Sequence, residues 1–261
     1  MKNNKVSVLM TAYNAEKFIE EAIESIISQK FKNWNLILVD DKSTDNTVKI
    51  VKSFKNKKIK IYKLKKHIGR TNALNFGLKK CKSKYVAIQD ADDISLPNRF
   101  AKQVNFLKKN KEFKMTGGWA FMINMFSKRI GEIKSEVNAV KLNSSMLFHN
   151  SIPHSTVMYY SSFAKKIGGY PSHLKYAQDF GLILKFVKRN KIKVMPEFLS
   201  MIRLTAQSMS FRKEYKNIVI KDDLNLLKHV RKNFKLNKIE IIKFYFYILK
   251  NYIKLFFNIF R

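Results

Sequence analysis

A single cysteine, Cys81, stands in 261 residues, which excludes an internal disulfide and any cysteine-rich metal site. Acids are scarce as well. Nineteen aspartates and glutamates face 52 lysines and arginines, for a formal charge of +33. A balance that basic calls for an anionic partner: nucleic acid, an anionic membrane surface or a phosphorylated substrate. Lys, Ile, Asn and Phe are enriched together throughout, as a coding-composition bias produces, and that bias is a second source of the charge. No uncharged apolar run approaches the roughly 18–20 residues that span a bilayer. There is no zinc-ligand pattern, helix-turn-helix signature or base-stacking motif, so charge alone supports a nucleic-acid-binding class. Internal repeats and low-complexity linkers are missing too. Residues 1–5 lead directly into a strand-like run rather than a signal peptide. The expectation is a cytoplasmic chain, peripheral on the cytosolic face of a membrane.

Apolar residues make up 46% of the chain, enough for one large domain or a domain with an appendage. Strand-like and helix-like stretches alternate over the first hundred residues. Residues 6–10, 35–39, 59–64 and 85–88 are apolar and partly β-branched, as buried strands are. Between them Phe18, Ile19, Ala22, Ile23, Ile26 and Ile27 recur at helical spacing. Residues 43–46 offer N-cap side chains for a second helix, and Gly69 opens a third that runs to Lys80. Such alternation predicts βαβ units and a mainly parallel sheet, with ligands beyond the carboxyl ends of its strands. Three polar clusters arrive at that rim: residues 11–14, Asp40-Asp41, and the trio Asp90, Asp92 and Asp93.

The trio lies within four positions of a chain that is otherwise strongly basic. Carboxylates that close repel, and each raises the pKa of the others unless a cation sits among them. A divalent metal held by oxygen ligands, Mg²⁺ or Mn²⁺, accounts for them. A solvated acidic turn that caps the helix starting near Pro97 accounts for them as well.

Beyond Pro97 the pattern predicts a helix to about Asn110, a strand over 115–123 and a hairpin partner within 125–132. A helical stretch over 135–148 follows, then a helix opened by Gln178-Asp179 and two strand-like pieces, 191–195 and 198–204. After about Phe211 the composition turns helical, basic and aromatic. In 238–260, Lys243, Lys250, Lys254 and Arg261 are spaced 7, 4 and 7, which puts them on one stripe of a helix. Ile, Leu, Phe and Tyr fill most of the remainder. That layout suits a helix lying in an anionic membrane interface. Packing on the domain or on a second copy, lysines outward, is the alternative. A spanning helix is disfavoured, because each buried lysine costs about 2.5–3.5 kcal/mol.

Three stretches taken together resemble the family-2 glycosyltransferases of the GT-A fold. They are Val6-Ser-Val-Leu-Met-Thr-Ala-Tyr-Asn14, Leu38-Val-Asp-Asp-Lys-Ser-Thr-Asp45, and Gln89-Asp-Ala-Asp-Asp93 with Pro97 and Arg99 after it. The resemblance is dense over 5–105 and thinner to about 211. It implies an α/β, Rossmann-like mixed and mainly parallel sheet flanked by helices. Residues 1–211 would form the glycosyltransferase domain, with a donor half to about 110 and an acceptor half from about 111. Residues 212–261 would form a basic amphipathic helical extension that associates with the membrane.

The implied activity is metal-dependent, inverting transfer of one sugar from a nucleotide-sugar, most often a UDP-sugar, to a glycan or lipid-linked acceptor in cell-surface polysaccharide synthesis. On this resemblance Thr11 and Tyr13 line the base and ribose pocket, and Asp40 accepts the uracil N3–H. Arg70 reaches the base or the diphosphate. Asp92 holds the ribose and Asp93 the metal, with Asp90 in support; which of the three touches Mn²⁺ or Mg²⁺ stays open. Asp179 is the base for the acceptor hydroxyl, and Gln178 departs from the family's usual Glu-Asp pair. His154 stands near the donor phosphates or the acceptor. Arg203, with residues 207–210, resembles a segment that closes over the diphosphate, although Thr205 replaces the usual histidine. The Gln-x-x-Arg-Trp signature of processive synthases is missing, which implies one addition per encounter. A nucleotide-sugar-binding protein without transfer is the alternative from another class.

Overall fold

The computed structural model of the chain describes residues 5–205 and 213–259. Four parallel strands form one half of its sheet: β1 (Val6–Ala12), β2 (Trp34–Asp40), β3 (Ile59–Lys63) and β4 (Tyr85–Ile88), in the order β3-β2-β1-β4. Helices α1 (Ile19–Ile27), α2 (Thr47–Ser53) and α3 (Arg70–Lys80) make the crossovers. The chain steps outward from β1 to β3 and then returns to the other side of β1 for β4. That reversal opens a crevice beyond the carboxyl ends of β1 and β4.

The second half continues the sheet with mixed polarity. β5 (Ile94–Ser95) leads into helix α4 (Arg99–Lys109), β6 (Met115–Ile123) and its hairpin partner β7 (Arg129–Ile133). Helix α5 (Ala139–Ser145) and a 3-10 turn (His154–Thr156) precede β8 (Met158–Tyr160), which pairs antiparallel with both β4 and β6. Helices α6 (Ser161–Lys166) and α7 (Gln178–Val187) lead to β9 (Ile192–Arg203), parallel to β6 and antiparallel to β5. The expected mixed, mainly parallel sheet flanked by helices is present.

Strand periodicity sorts the core into two layers. Val6, Val8 and Met10 of β1 face one side with Ile19, Ile23 and Phe100, while Leu9 faces the other with Leu74, Ile183 and Phe186, as side chains alternating across a pleat must. Helix α3 crosses β1 closely at Gly77, where an added Cβ would meet Leu9 Cδ1 at 2.3 Å.

Three expectations change. The helical stretch over 135–148 shortens to α5, because Asn138 Oδ1 accepts from the amides of Val140 and Lys141 and starts the helix there. The two strand-like pieces after 190 join as β9, with its register against β6 shifting near Pro196, which has no N–H for the ladder. The last two helices, α8 (Lys213–Asn233) and α9 (Lys238–Ile259), pack on the sheet domain: Leu226, Leu227, Val230 and Phe244 belong to the same core layer as Leu9.

Candidate active site

The rim of the sheet gathers the expected residues through short turns. Thr11 lies at the end of β1, in register with Val39, and Ala12 is in register with Asp40. Asp40 is 1% exposed; its Oδ1 accepts from the Ser43 amide at 3.3 Å, and its Oδ2 is buried without a partner among the described residues. An unpaired buried carboxylate oxygen is costly, so the position fits an incoming N–H donor. Tyr13 is 51% exposed, and its ring lies 4.3 Å from that of His67. His67 is held by Asp41, whose carboxylate also accepts from the amides of Ile68 and Gly69. Gly69, at φ +81°, then opens α3 and presents Arg70. Asp41 and His67 were not foreseen as site residues; the signal for Asp41 was its place in the Asp40-Asp41 pair at a strand end.

Arg70 is the centre of the constellation. Its Nη2 lies 2.6 Å from Asp90 Oδ1 and 3.4 Å from His154 Nδ1. Burial works to lower the pKa of Arg70, but the charges of Asp90, Asp179 and Asp92 outweigh it and hold the guanidinium above its ordinary range. Asp90 is affected conversely: burial raises it, and Arg70 and His154 pull it well below the usual carboxylate range. His154, 8% exposed, donates or accepts at Tyr170 Oη, 3.1 Å from its Nε2. Residues 70, 90 and 154, far apart in sequence, therefore come into contact, and the charges of Asp92 and Asp179 act on Arg70.

The other two carboxylates of the trio differ from each other. Burial first, and then the charge of Asp90, raise the pKa of Asp92. Arg70 and Arg203 act in the opposite sense, and Asp93 is raised well above its ordinary value by burial and by the charges of Asp92 and Asp90. Asp93 is 3% exposed, with Oδ2 accepting from Ser155 Oγ at 2.5 Å and Oδ1 from the Arg203 amide at 2.9 Å. It thus ties the turn to the 3-10 segment and to the end of β9. Arg203 is also committed within the fold: its guanidinium bonds the carbonyls of Asp92, Asn124 and Met125 and pairs with Glu21. Residues 207–210, expected beside it, lie outside the described residues. Arg99, fully buried, braces the turn from below through Gln89, Ser95 and the carbonyls of Ile88 and Val157; burial draws its pKa down to about 9.

Among the described residues no group of three or more His, Cys, Asp or Glu is placed to hold a metal ion. Mg²⁺ and Mn²⁺ sites in phosphate chemistry need no such group, since one or two carboxylates and the substrate phosphates suffice. Asp92 and Asp93, each raised by burial and by neighbouring carboxylate charge, fit that pattern. Asp179 sits in the first turn of α7, with Oδ2 accepting from Asn150 Nδ2 at 2.9 Å. No helix among the described residues is long and apolar enough to cross a membrane.

Comparison with known proteins agrees with this geometry. The family model described as Glycosyl transferase family 2 matches residues 7–164. The glycosyltransferase-family protein EpsE of Bacillus subtilis is 36% identical over 70% of this chain, which spans 66% of EpsE. The Escherichia coli UDP-Glc:alpha-D-GlcNAc-diphosphoundecaprenol beta-1,3-glucosyltransferase WfgD is 28% identical over 82% of each chain. Among solved structures, Staphylococcus aureus TarS 1-349 in complex with UDP-GlcNAc superposes with a TM-score of 0.72 at 21% identity, covering 96% of this chain and 73% of that one; this likeness is one of fold. The motif-bearing strand ends and the crevice they frame are therefore those of a known lineage: the chain belongs to glycosyl transferase family 2.

Proposed function

We propose that this chain transfers one sugar from a UDP-sugar to a hydroxyl of a lipid-linked or surface glycan, with inversion at the anomeric carbon. The observation that carries the reading is the contact of Arg70 with Asp90 at 2.6 Å and with His154 at 3.4 Å beyond the crevice between β1 and β4, where the charges of Asp92 and Asp179 also act on Arg70. Tyr13 offers an exposed ring for a nucleobase to stack on, and Asp40 Oδ2 an acceptor for the uracil N3–H. Asp92 is the direct ligand for Mn²⁺ or Mg²⁺, with Asp90 beside it and Asp93 holding the turn. A metal bound there supplies neutralisation of the charge that develops on the leaving diphosphate.

Asp179 takes the proton of the acceptor hydroxyl as its oxygen attacks the anomeric carbon. The bond from that carbon to the diphosphate oxygen breaks, and the electron pair leaves with the nucleoside diphosphate. Arg70, fixed by Asp90, holds a permanent positive charge where that diphosphate lies. Because Arg203 is spent on the acidic turn, its role here is to position Asp92 rather than to grip phosphate.

Uracil carries an N3–H and cytosine does not, so Asp40 predicts a preference that calorimetry reads directly. Wild-type protein binds UDP at least about tenfold more tightly than CDP, and Asp40→Ala brings the two within about threefold. Equal binding of UDP and CDP by the wild type contradicts the assignment of Asp40.

The acceptor is membrane-borne in this reading. On α9 the side chains of Ile239, Ile242, Tyr245, Phe246, Leu249, Tyr252 and Ile253 are exposed. At helical spacing they span an arc of roughly 140°, with exposed Lys243, Lys250 and Lys254 along one flank. Arg261, also expected on that stripe, lies outside the described residues. An apolar arc bordered by lysines matches an anionic lipid surface, and the acceptor named for WfgD is a lipid diphosphate. Vesicles containing anionic lipid should sediment the protein and neutral vesicles should not, and Phe246→Glu with Leu249→Glu should abolish the difference. Equal retention of wild type and double variant removes α9 as the docking face.

A further inference from the structure

The segment that precedes Asp179 is clamped from two sides. Residues 171–177 run without helix or strand into α7. From the donor half, Thr71, next to Arg70 in the first turn of α3, donates its hydroxyl to the Leu174 carbonyl at 2.6 Å. From the other side comes α8. Asp222 Oδ2 accepts from the backbone amides of Lys175, Tyr176 and Ala177 at 2.8, 2.8 and 3.3 Å. Asp222 is 5% exposed and Leu174 fully buried, so both anchors work away from bulk water.

The physics of this contact is that of an anion held by successive backbone amides just ahead of a helix. The amides of Lys175 and Tyr176 precede α7, and that of Ala177, its N-cap, makes the longest of the three bonds at 3.3 Å. Successive amides that converge on one carboxylate oxygen form an anion-binding concavity. The carboxylate is borne by another helix, so the entry to α7, and with it the position of Asp179, depends on the docking of α8. The neighbouring side chain agrees with this placement. Burial first, and then the charge of Asp179, raise Asp223 to about 6, with Lys254 of α9 acting in the opposite sense.

We infer that Asp222 is a positioning residue for the transfer reaction, fixing the first turn of α7 so that Asp179 meets the acceptor hydroxyl, and that α8 is thereby part of the catalytic apparatus. This rests on Asp179 being the base. Removing the carboxylate takes from the amides of residues 175–177 the acceptor that holds them, and the segment loosens. A displacement of about 1 Å at a reacting group costs about 10²-fold in rate. The donor pocket, built on β1, β2 and α3, does not use this contact.

The test uses the full chain and release of UDP from UDP-glucose and UDP-N-acetylglucosamine, with hydrogen exchange followed in parallel. In Asp222→Ala the amides of residues 175–177 should exchange at least about tenfold faster, and kcat per folded molecule should fall about 10²-fold. KM for the sugar nucleotide should stay within about twofold. Asp222→Asn keeps one acceptor oxygen without the charge, so it should fold, recover most of the exchange protection and lie between the two in kcat. That variant carries the test if the alanine variant does not fold. Wild-type kcat in Asp222→Ala, or kcat and KM moving together in both variants, overturns the inference. Asp179→Asn serves as the control. If it releases UDP at the wild-type rate, the base assignment falls; if it is inactive while both Asp222 variants are normal, only the present inference falls.

Discussion

Asp179→Asn is expected to lower transfer about 10²–10⁴-fold, the usual worth of a positioned base, with donor affinity close to wild type. The substitution keeps the shape and an acceptor oxygen for Asn150 Nδ2, which now donates to Asp179 at 2.9 Å. What it removes is the capacity to take a proton. Asp179 lies in the first turn of α7, whereas the residues proposed for the nucleotide lie at the ends of β1 and β2, at the start of α3 and after β4. An effect on kcat with little effect on donor KM is therefore the signature of lost transition-state stabilisation. A variant with wild-type turnover, measured with the same acceptor and donor, contradicts the role given to Asp179. Asp90 is a contrasting control. Its loss removes the carboxylate paired with Arg70 at 2.6 Å and should alter donor binding as well.

Much of the donor side was legible because local chemistry decides it. A buried strand that ends in acids is visible as a run of apolar residues followed by carboxylates, and alternation of strands with helices puts those ends on one rim. That rule places Asp40, Asp90 and Asp92 at the rim; the roles proposed for them and for Arg70 come from the family resemblance. The contacts of Asp93 and Arg203 were not legible, since both depend on long-range partners. Asp93 is bonded by Ser155 and by the Arg203 amide, and Arg203 by Glu21 and the carbonyls of the β6–β7 turn. A carboxylate inside a metal-type motif and an arginine at a strand end look the same in sequence whether they touch ligand or brace the turn. β5 escaped notice because two residues, Ile94 and Ser95, carry no periodicity. The C-terminal helices showed their apolar and basic stripes plainly. Their inward contacts did not show, because Asp222 meets amides rather than side chains, and backbone donors leave no mark on composition. A faint signal existed in Asp222-Asp223, adjacent acids in an otherwise basic extension.

Removal of divalent metal is expected to weaken nucleotide-sugar binding by at least about tenfold. Asp90 and Asp92 lie close enough for the charge of one to raise the pKa of the other. A sugar nucleotide brings two further phosphate charges to the same place. Arg70, Arg99 and Arg203 act on the trio, and each is already engaged within the fold. The balance is repulsive without a cation, and a bound Mg²⁺ or Mn²⁺ is worth several kcal/mol in such settings. Asp92→Ala should reproduce the loss in the presence of metal, while the fold, braced by Asp93 and Arg99, is retained. The direct measurement is calorimetric titration of the full chain with UDP-glucose and UDP-N-acetylglucosamine, in Mn²⁺ and again in EDTA, for wild type and Asp92→Ala. Saturable binding of at least one donor to the wild type in Mn²⁺, lost in EDTA and in the variant, is the predicted result. Binding that is the same in all four conditions, or no binding of either donor to folded protein in Mn²⁺, contradicts it.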